Sequence, residues 1–198
     1  MHLNIVLWST SPRRKEILSI LEVPFEVLPS EYEEDMSLQD RMTGTELALF
    51  LSAGKGQSVV HRMEQQNRKA IVIAADTFIT FNNACLWKPF TTEKQREMLT
   101  LFSGQEVEVI TWIYVYNWYT GQIWNETISS ALCFKQLTED QIERYTGTGE
   151  WLDRAWWFAM QGKWNVLIDH VRGDWYNMLW LPLSRMYDIL QSCGVFVS

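Results

Sequence analysis

The sequence is poor in the residues that build disulfide frameworks, histidine-based metal sites and membrane spans. Its 198 residues include three cysteines and three histidines, and both types are widely spaced. This spacing argues against a disulfide-stapled scaffold, a zinc site and a Ser-His-Asp triad. The longest apolar runs, 70–75 and 110–116, fall far short of the roughly 20 residues that a membrane-spanning helix needs. We therefore expect a cytoplasmic protein without a membrane partner.

Positive charge is also scarce, because the formal net charge is -7. A protein that coats a nucleic-acid polymer needs clustered Lys and Arg, so we expect no such partner. An anionic ligand would have to be met by local concentrations of positive charge. A hydrophobic content of 47% is enough for a sizeable interior, and we expect one domain over 1–198.

What the chain has in excess is tryptophan, with 11 residues. Tryptophan is enriched at protein interfaces, so a protein-interaction module with exposed indole anchors is one interpretation. Burial as packing residues is the other.

Strand and helix patterns alternate along the chain, which predicts an α/β fold with a mixed twisted sheet flanked by helices. The expected strands are 3–7, 25–28, 69–81, 106–116, 123–134 and 166–171, and the fourth and fifth form a hairpin. Helices are expected to begin near Pro12, Thr45, Thr92, Thr138 and Pro182, with capping boxes at 92–95 and 138–141.

The first strand leads into Ser9-Thr10-Ser11-Pro12-Arg13-Arg14, a motif typical of phosphate binding. Ser11 is a suitable N-cap, and Pro12 suits the first helical position. Free amides at a helix start attract phosphate, and two guanidinium groups add charge-assisted contacts. A simple capped helix is the alternative, but two cations are unfavourable at that end unless an anion offsets them.

A single acid, Asp76, interrupts the apolar strand 69–81. A buried carboxylate is costly unless it has partners, and catalytic carboxylates often lie at strand ends in α/β folds. A structural Asp that caps a turn is the alternative. Lys55 and Lys88 could add positive charge near such a site.

With these motifs the chain resembles the Maf family of nucleoside triphosphate pyrophosphatases over nearly its whole length. The matching pieces, in order, are Ser9 to Arg14, Phe25-Glu26-Val27, Glu33-Glu34, Lys55, Ala75-Asp76-Thr77, Lys88-Pro89, Leu101 to Gly104, Thr111, Tyr145, Thr148-Gly149-Glu150, Gln161-Gly162 and Leu181-Pro182-Leu183. The resemblance implies a Maf/ITPase-like fold with a cleft between two lobes, and a homodimer.

The resemblance also implies hydrolysis of a nucleoside triphosphate at the α-β linkage with a divalent cation, Mg2+ or Mn2+. Asp76 would be the general base and, with Glu34 and the adjacent Glu33, would hold the metal. Ser9, Arg14, Lys55 and Lys88 would bind the triphosphate. Arg13, Thr77 and Gln161 match the subgroup that acts on dTTP and UTP, and Thr77 and Gln161 would line the pocket for the nucleotide base.

The chain departs from the family pattern at several tryptophans. The family has Gly where this chain has Trp87, Trp112 and Trp180, and small residues at Trp8 and at Trp156-Trp157. A large side chain in place of Gly needs space and is penalised at positive φ. A catalytically impaired or engineered scaffold that binds nucleotide without turnover is therefore an alternative to the enzyme.

Overall fold

The computed structural model describes residues 3–29, 44–86, 91–150, 152 and 162–196, and within these ranges the chain forms seven strands and five α-helices. The strands are β1 (Ile5–Trp8), β2 (Glu26–Leu28), β3 (Ile71–Phe81), β4 (Ala84–Cys85), β5 (Glu106–Asn117), β6 (Gln122–Phe134) and β7 (Ile168–Arg172). The helices are α1 (Pro12–Ser19), α2 (Gly44–Gln65), α3 (Thr92–Phe102), α4 (Glu139–Thr146) and α5 (Leu183–Ser192). Two 3-10 helices span Lys163–Leu167 and Tyr176–Leu179. None of the helices in these ranges has the length and apolarity to cross a membrane.

All seven strands belong to one mixed sheet, with the order β2-β1-β3-β5-β6-β7 and with β4 paired to the end of β3. β1 runs parallel to both β2 and β3, whereas β3, β5, β6 and β7 pair in antiparallel fashion. β3 is buried along almost its whole length, as expected for a strand covered on both faces. The predicted mixed sheet flanked by helices is confirmed.

Three groups of buried side chains share the long strands of this sheet, and one of them, which contains Val72, Trp112 and Val59 of α2, lies on the opposite face from the cluster of Ile73. Near the start of β3, Ile73 packs in one cluster with residues of α1 and α5. Towards its end, Ile79 packs in another cluster with Phe102 of α3 and Trp164. β5 likewise contributes to both clusters, so the two lobes are the two ends of one sheet.

Several tryptophans are core residues for which the fold provides space. The buried ones among the described residues are Trp8, Trp112, Trp164 and Trp180. The ring of Trp112 fits because α2 has a glycine there: a Cβ on Gly56 would lie 3.0 Å from it. Trp164 packs edge-on against Phe134 and Tyr145. In contrast, Trp175 is 45% exposed. Packing therefore accounts for these four residues, as the second interpretation predicted.

The capping box predicted at 138–141 is confirmed, because Thr138 and Gln141 exchange both hydrogen bonds. The one predicted at 92–95 is wrong. Thr91 is the N-cap, and the third helical residue is Lys94, which cannot return a hydrogen bond as an acceptor.

The strand predicted at 166–171 begins late, because Val166 and Leu167 belong to a 3-10 helix. Trp164 and Leu167 are its buried residues, and their spacing of three matches the three residues per turn of that helix. β7 then starts at Ile168.

Candidate functional site

The candidate site lies where one strand of the sheet ends before its neighbour. β1 stops at Trp8, which pairs with Ala74, whereas β3 continues to Phe81. Beyond Trp8 the chain turns into α1, so the start of that helix lies beside the continuing part of β3. Ligands of α/β proteins commonly bind in such a crevice at the carboxyl ends of parallel strands.

The turn before α1 is fixed by its own hydroxyl groups. Ser9 is buried, and its backbone N–H donates to the Leu28 carbonyl oxygen at 3.0 Å. Its Oγ accepts a hydrogen bond from the Ser11 N–H at 3.1 Å, and Ser11 Oγ in turn accepts from the Arg14 N–H. Pro12 is the first residue of the helix, as predicted. Because Pro12 has no N–H and the Arg14 N–H is bonded to Ser11 Oγ, the positive end of the helix and its two arginines suit this turn to an anion more than open backbone amides do.

Arg14 is held across this crevice by three groups from distant parts of the chain. Its Nε donates to the Trp180 carbonyl oxygen at 3.0 Å, and its Nη2 donates to Thr77 Oγ1 at 3.1 Å. Nη2 also lies 3.8 Å from Asp76 Oδ1. The side chain is only 11% exposed, and this burial lowers the pKa of the guanidinium while the Asp76 charge opposes the effect. An arginine remains charged under such a shift, so the site contains a cation held in a fixed position.

Asp76 lies between two cations. Lys55 of α2 forms an ion pair with its Oδ2, and Arg14 approaches its Oδ1. Oδ1 also accepts a hydrogen bond from the Thr77 N–H at 3.0 Å. The carboxylate side chain is 15% exposed. These three side chains together carry one net positive charge, which favours an anionic ligand.

Thr77 lies on the opposite side of β3 from Asp76, since neighbouring residues of a strand alternate between faces. Its hydroxyl is 3.0 Å from Thr111 Oγ1 on β5 and receives the Arg14 hydrogen bond. The structure therefore places Thr77 as a support for Arg14. The predicted contact of Thr77 with a nucleotide base stays a prediction.

Five of the predicted site residues thus come together: Ser9, Arg14, Lys55, Asp76 and Thr77. Arg13 precedes Arg14 in the first turn of α1 and is half-buried. Glu33, Glu34, Lys88 and Gln161 lie outside the described residues. Among the residues that are described, no group of three or more His, Cys, Asp or Glu side chains could hold a metal.

Sequence reasoning missed the Trp180 carbonyl group and the buried Asn177, which lie close together in the chain. One signal was present, because Trp180 stands where the family has Gly. The structure gives Trp180 a φ of 89°, in the left-handed region that Gly favours.

Glu150 packs against the glycine next to the predicted base contact Gln161. A Cβ on Gly162 would lie 1.9 Å from Glu150 Oε1, so a larger residue there would have to displace this carboxylate. The same carboxylate accepts a hydrogen bond from the Lys163 N–H at 3.2 Å.

Comparisons with known proteins identify the family of the chain. The family model of Maf-like proteins matches residues 4–193, and the chain belongs to the Maf family. It is 39% identical to a dTTP/UTP pyrophosphatase of Methanococcoides burtonii, over 98% of this chain and 97% of that protein. It is 33% identical to a dTTP/UTP pyrophosphatase of Clostridium tetani, over 98% and 99% of the two chains. The crystal structure of a nucleoside-triphosphatase / dITP/XTP pyrophosphatase from Mycobacterium abscessus matches 68% of this chain and 74% of its own, with a TM-score of 0.43 and 14% identity.

Proposed function

We propose that this protein is a nucleoside triphosphate pyrophosphatase that hydrolyses dTTP or UTP to the monophosphate and pyrophosphate. One observation carries the proposal: a carboxylate, Asp76, is held between Lys55 and Arg14 beside the start of α1. Anion-binding groups and a candidate base are thereby adjacent. The relatives that bear the name dTTP/UTP pyrophosphatase supply the substrate class.

The triphosphate binds beside Arg14, at the start of α1. Arg14 uses Nε and Nη2 for the protein contacts described above, and a guanidinium has five N–H groups. Its remaining N–H groups are therefore candidates for phosphate oxygens, together with the Ser9 hydroxyl. Arg13, Lys55 and, outside the described residues, Lys88 would add positive charge that stabilises the transition state.

Asp76 acts as the general base in this mechanism. It takes a proton from a water molecule, the water oxygen bonds to the α-phosphorus, and the bond from that phosphorus to the bridging oxygen breaks. Pyrophosphate leaves with the electron pair of the broken bond. The ion pair with Lys55 and the approach of Arg14 hold the carboxylate in place beside the phosphate-binding groups.

A divalent cation, Mg2+ or Mn2+, fits the chemistry of Asp76, because hard cations prefer carboxylate oxygens. Glu34, and Glu33 beside it, are the proposed further protein ligands and lie outside the described residues. The cation would neutralise charge on the phosphate oxygens. Thr77 and Gln161 remain the proposed contacts to the base, and a homodimer in the cytoplasm remains the expectation from the family resemblance.

The test is release of pyrophosphate from dTTP, UTP and CTP with Mg2+ or Mn2+. Asp76→Asn removes the base while keeping the shape of the side chain, and we expect kcat to fall by about 100-fold or more. Asp169→Asn, at an exposed position on β7, is the matched control and should leave kcat unchanged.

Two outcomes would contradict the proposal. Full activity of the Asp76→Asn protein would exclude this carboxylate as the base. A nucleotide that raises the melting temperature without being hydrolysed would favour the binding-only alternative.

A further inference from the structure

A backbone carbonyl group orients the arginine of the proposed phosphate site. The Trp180 oxygen accepts the hydrogen bond of Arg14 Nε at 3.0 Å and lies 3.4 Å from Thr77 Oγ1. Nε is the donor nearest the aliphatic stem, so this bond fixes the plane of the guanidinium. The direction of that carbonyl therefore determines where the outer N–H groups of Arg14 point.

Trp180 holds its carbonyl in place through an unfavourable backbone conformation. Its φ of 89° and ψ of 1° are left-handed, and the other described non-glycine residues with positive φ are Glu22 and three asparagines. Bulky residues adopt such a conformation only where the surroundings enforce it, and these positions cluster at functional sites. The segment before Trp180 enforces this conformation.

That segment is fastened to the sheet by one fully buried side chain, Asn177. Its Nδ2 donates to the carbonyl oxygens of Val109 on β5 and Ile128 on β6, at 2.9 and 3.2 Å. It also lies 3.1 Å from Ser130 Oγ. Since the Trp180 N–H donates to the Asn177 carbonyl oxygen at 3.0 Å, the anchor and the carbonyl group are joined within one turn.

A second set of bonds stiffens the start of the same segment. Asp174 Oδ1 accepts hydrogen bonds from the N–H groups of Tyr176 and Asn177, at 2.7 and 3.2 Å. Ser130 Oγ accepts from the Asp174 N–H and donates to the Asp174 carbonyl oxygen. Gly173 has a φ of 109°, and a Cβ there would lie 2.7 Å from Ser130 Oγ. The segment has little freedom to rotate.

We propose that Asn177 is a positioning residue for Arg14 and acts through the Trp180 carbonyl group. The inference rests on the proposed function, because it assigns Arg14 to the triphosphate. Asn177 does not touch the substrate. Its hydrogen bonds to β5 and β6 hold the segment 173–181 in the position in which the Trp180 carbonyl oxygen accepts from Arg14 Nε.

A double-mutant cycle separates this role from simple stabilisation. It compares the wild type, Asn177→Ala, Arg14→Lys and the double variant. Arg14→Lys keeps the charge but has no Nε to bond with the carbonyl group. We expect Asn177→Ala to lower kcat/KM for dTTP about tenfold when Arg14 is present, and less than about twofold in the Arg14→Lys background. The loss of unfolding free energy should be similar in both backgrounds.

Equal fold losses of kcat/KM in the two backgrounds would overturn the proposal, since they would mean that Asn177 only stabilises the fold. If Asn177→Ala does not fold, Ser130→Ala replaces it in the double-mutant cycle, because this change removes fewer of the bonds that hold the segment.

Failure of the proposed function gives a different result, because Asp76→Asn would then leave hydrolysis unaffected or the wild type would have none. In that case the Kd of dTTP is measured for the same four proteins. Coupling of Asn177 and Arg14 in Kd supports the positioning role, and additivity overturns it.

Discussion

Replacement of Trp180 by Ala and by Gly should give stabilities in the opposite order from that found at ordinary positions. Both variants lose an indole that is only 6% exposed, and removal of a buried Trp costs about 3–5 kcal/mol. The two variants differ in how well they tolerate a φ of 89°. A left-handed conformation costs Ala about 1–2 kcal/mol, and Gly almost nothing.

The unfolded chain opposes this difference, because Gly loses about 0.4–1 kcal/mol more conformational entropy than Ala on folding. The remainder leaves Trp180→Gly more stable than Trp180→Ala by about 1 kcal/mol. In a chain of 198 residues this corresponds to a difference of about 2–4 °C in melting temperature.

Urea denaturation of the two variants measures the difference directly. Glu97, exposed in the middle of α3, provides the control pair, since Glu97→Ala should be more stable than Glu97→Gly by about 1 kcal/mol. If Ala is equal to or better than Gly at position 180, the left-handed conformation does not exist in solution and its role in orienting Arg14 is lost.

Two further predictions concern residues away from the site. Gln95 is fully buried, and neither its Oε1 nor its Nε2 has a hydrogen-bond partner among the described residues, so Gln95→Met should raise the unfolding free energy by about 1–3 kcal/mol. If urea denaturation shows that Gln95→Met is less stable than the wild type, the amide is paired with water. Gln95→Glu, which buries a carboxyl group there, should lower the unfolding free energy. The Arg185 hydrogen bonds lower the pKa of Glu126, so this pair stabilises the fold above the unfolded pKa and loses its effect as the pH falls. Glu126→Gln should therefore lower the unfolding free energy by at most about 1 kcal/mol at pH 7, because both side chains are about one-third exposed. The difference in melting temperature between this variant and the wild type should narrow towards pH 4. A difference that does not change with pH would contradict the stabilising role of the pair.

Local chemistry predicted the elements whose signals lie within a few residues of sequence. The turn 119–122 between β5 and β6 was recognisable from Gly121, which has a φ of 74°. Ser11 was recognisable as an N-cap because a hydroxyl residue before Pro is favourable there. Asp76 was recognisable because a lone acid in an apolar strand is costly to bury unless it has partners.

The contacts of Arg14 could not be predicted in the same way. Its Nε partner is a backbone carbonyl group 166 residues away, and no side-chain pattern encodes the direction of a carbonyl. The base contact of Thr77 comes from the family resemblance and stays a prediction, whereas the hydrogen bonds of its hydroxyl with Thr111 and Arg14 had no signal in the sequence. The geometry of the site thus depends on tertiary contacts that composition and periodicity do not contain.

The ribbon formed by β5 and β6 limits how the two ends of the molecule can move. Its strands are paired at twelve consecutive positions and supply residues to the buried clusters at both ends. Within the described residues, these ends are therefore joined by hydrogen-bonded sheet and not by a free linker. Within this part of the chain, a rotation of one end of the sheet against the other requires twisting or bending of the ribbon, which permits smaller rotations than a hinge made of loop residues.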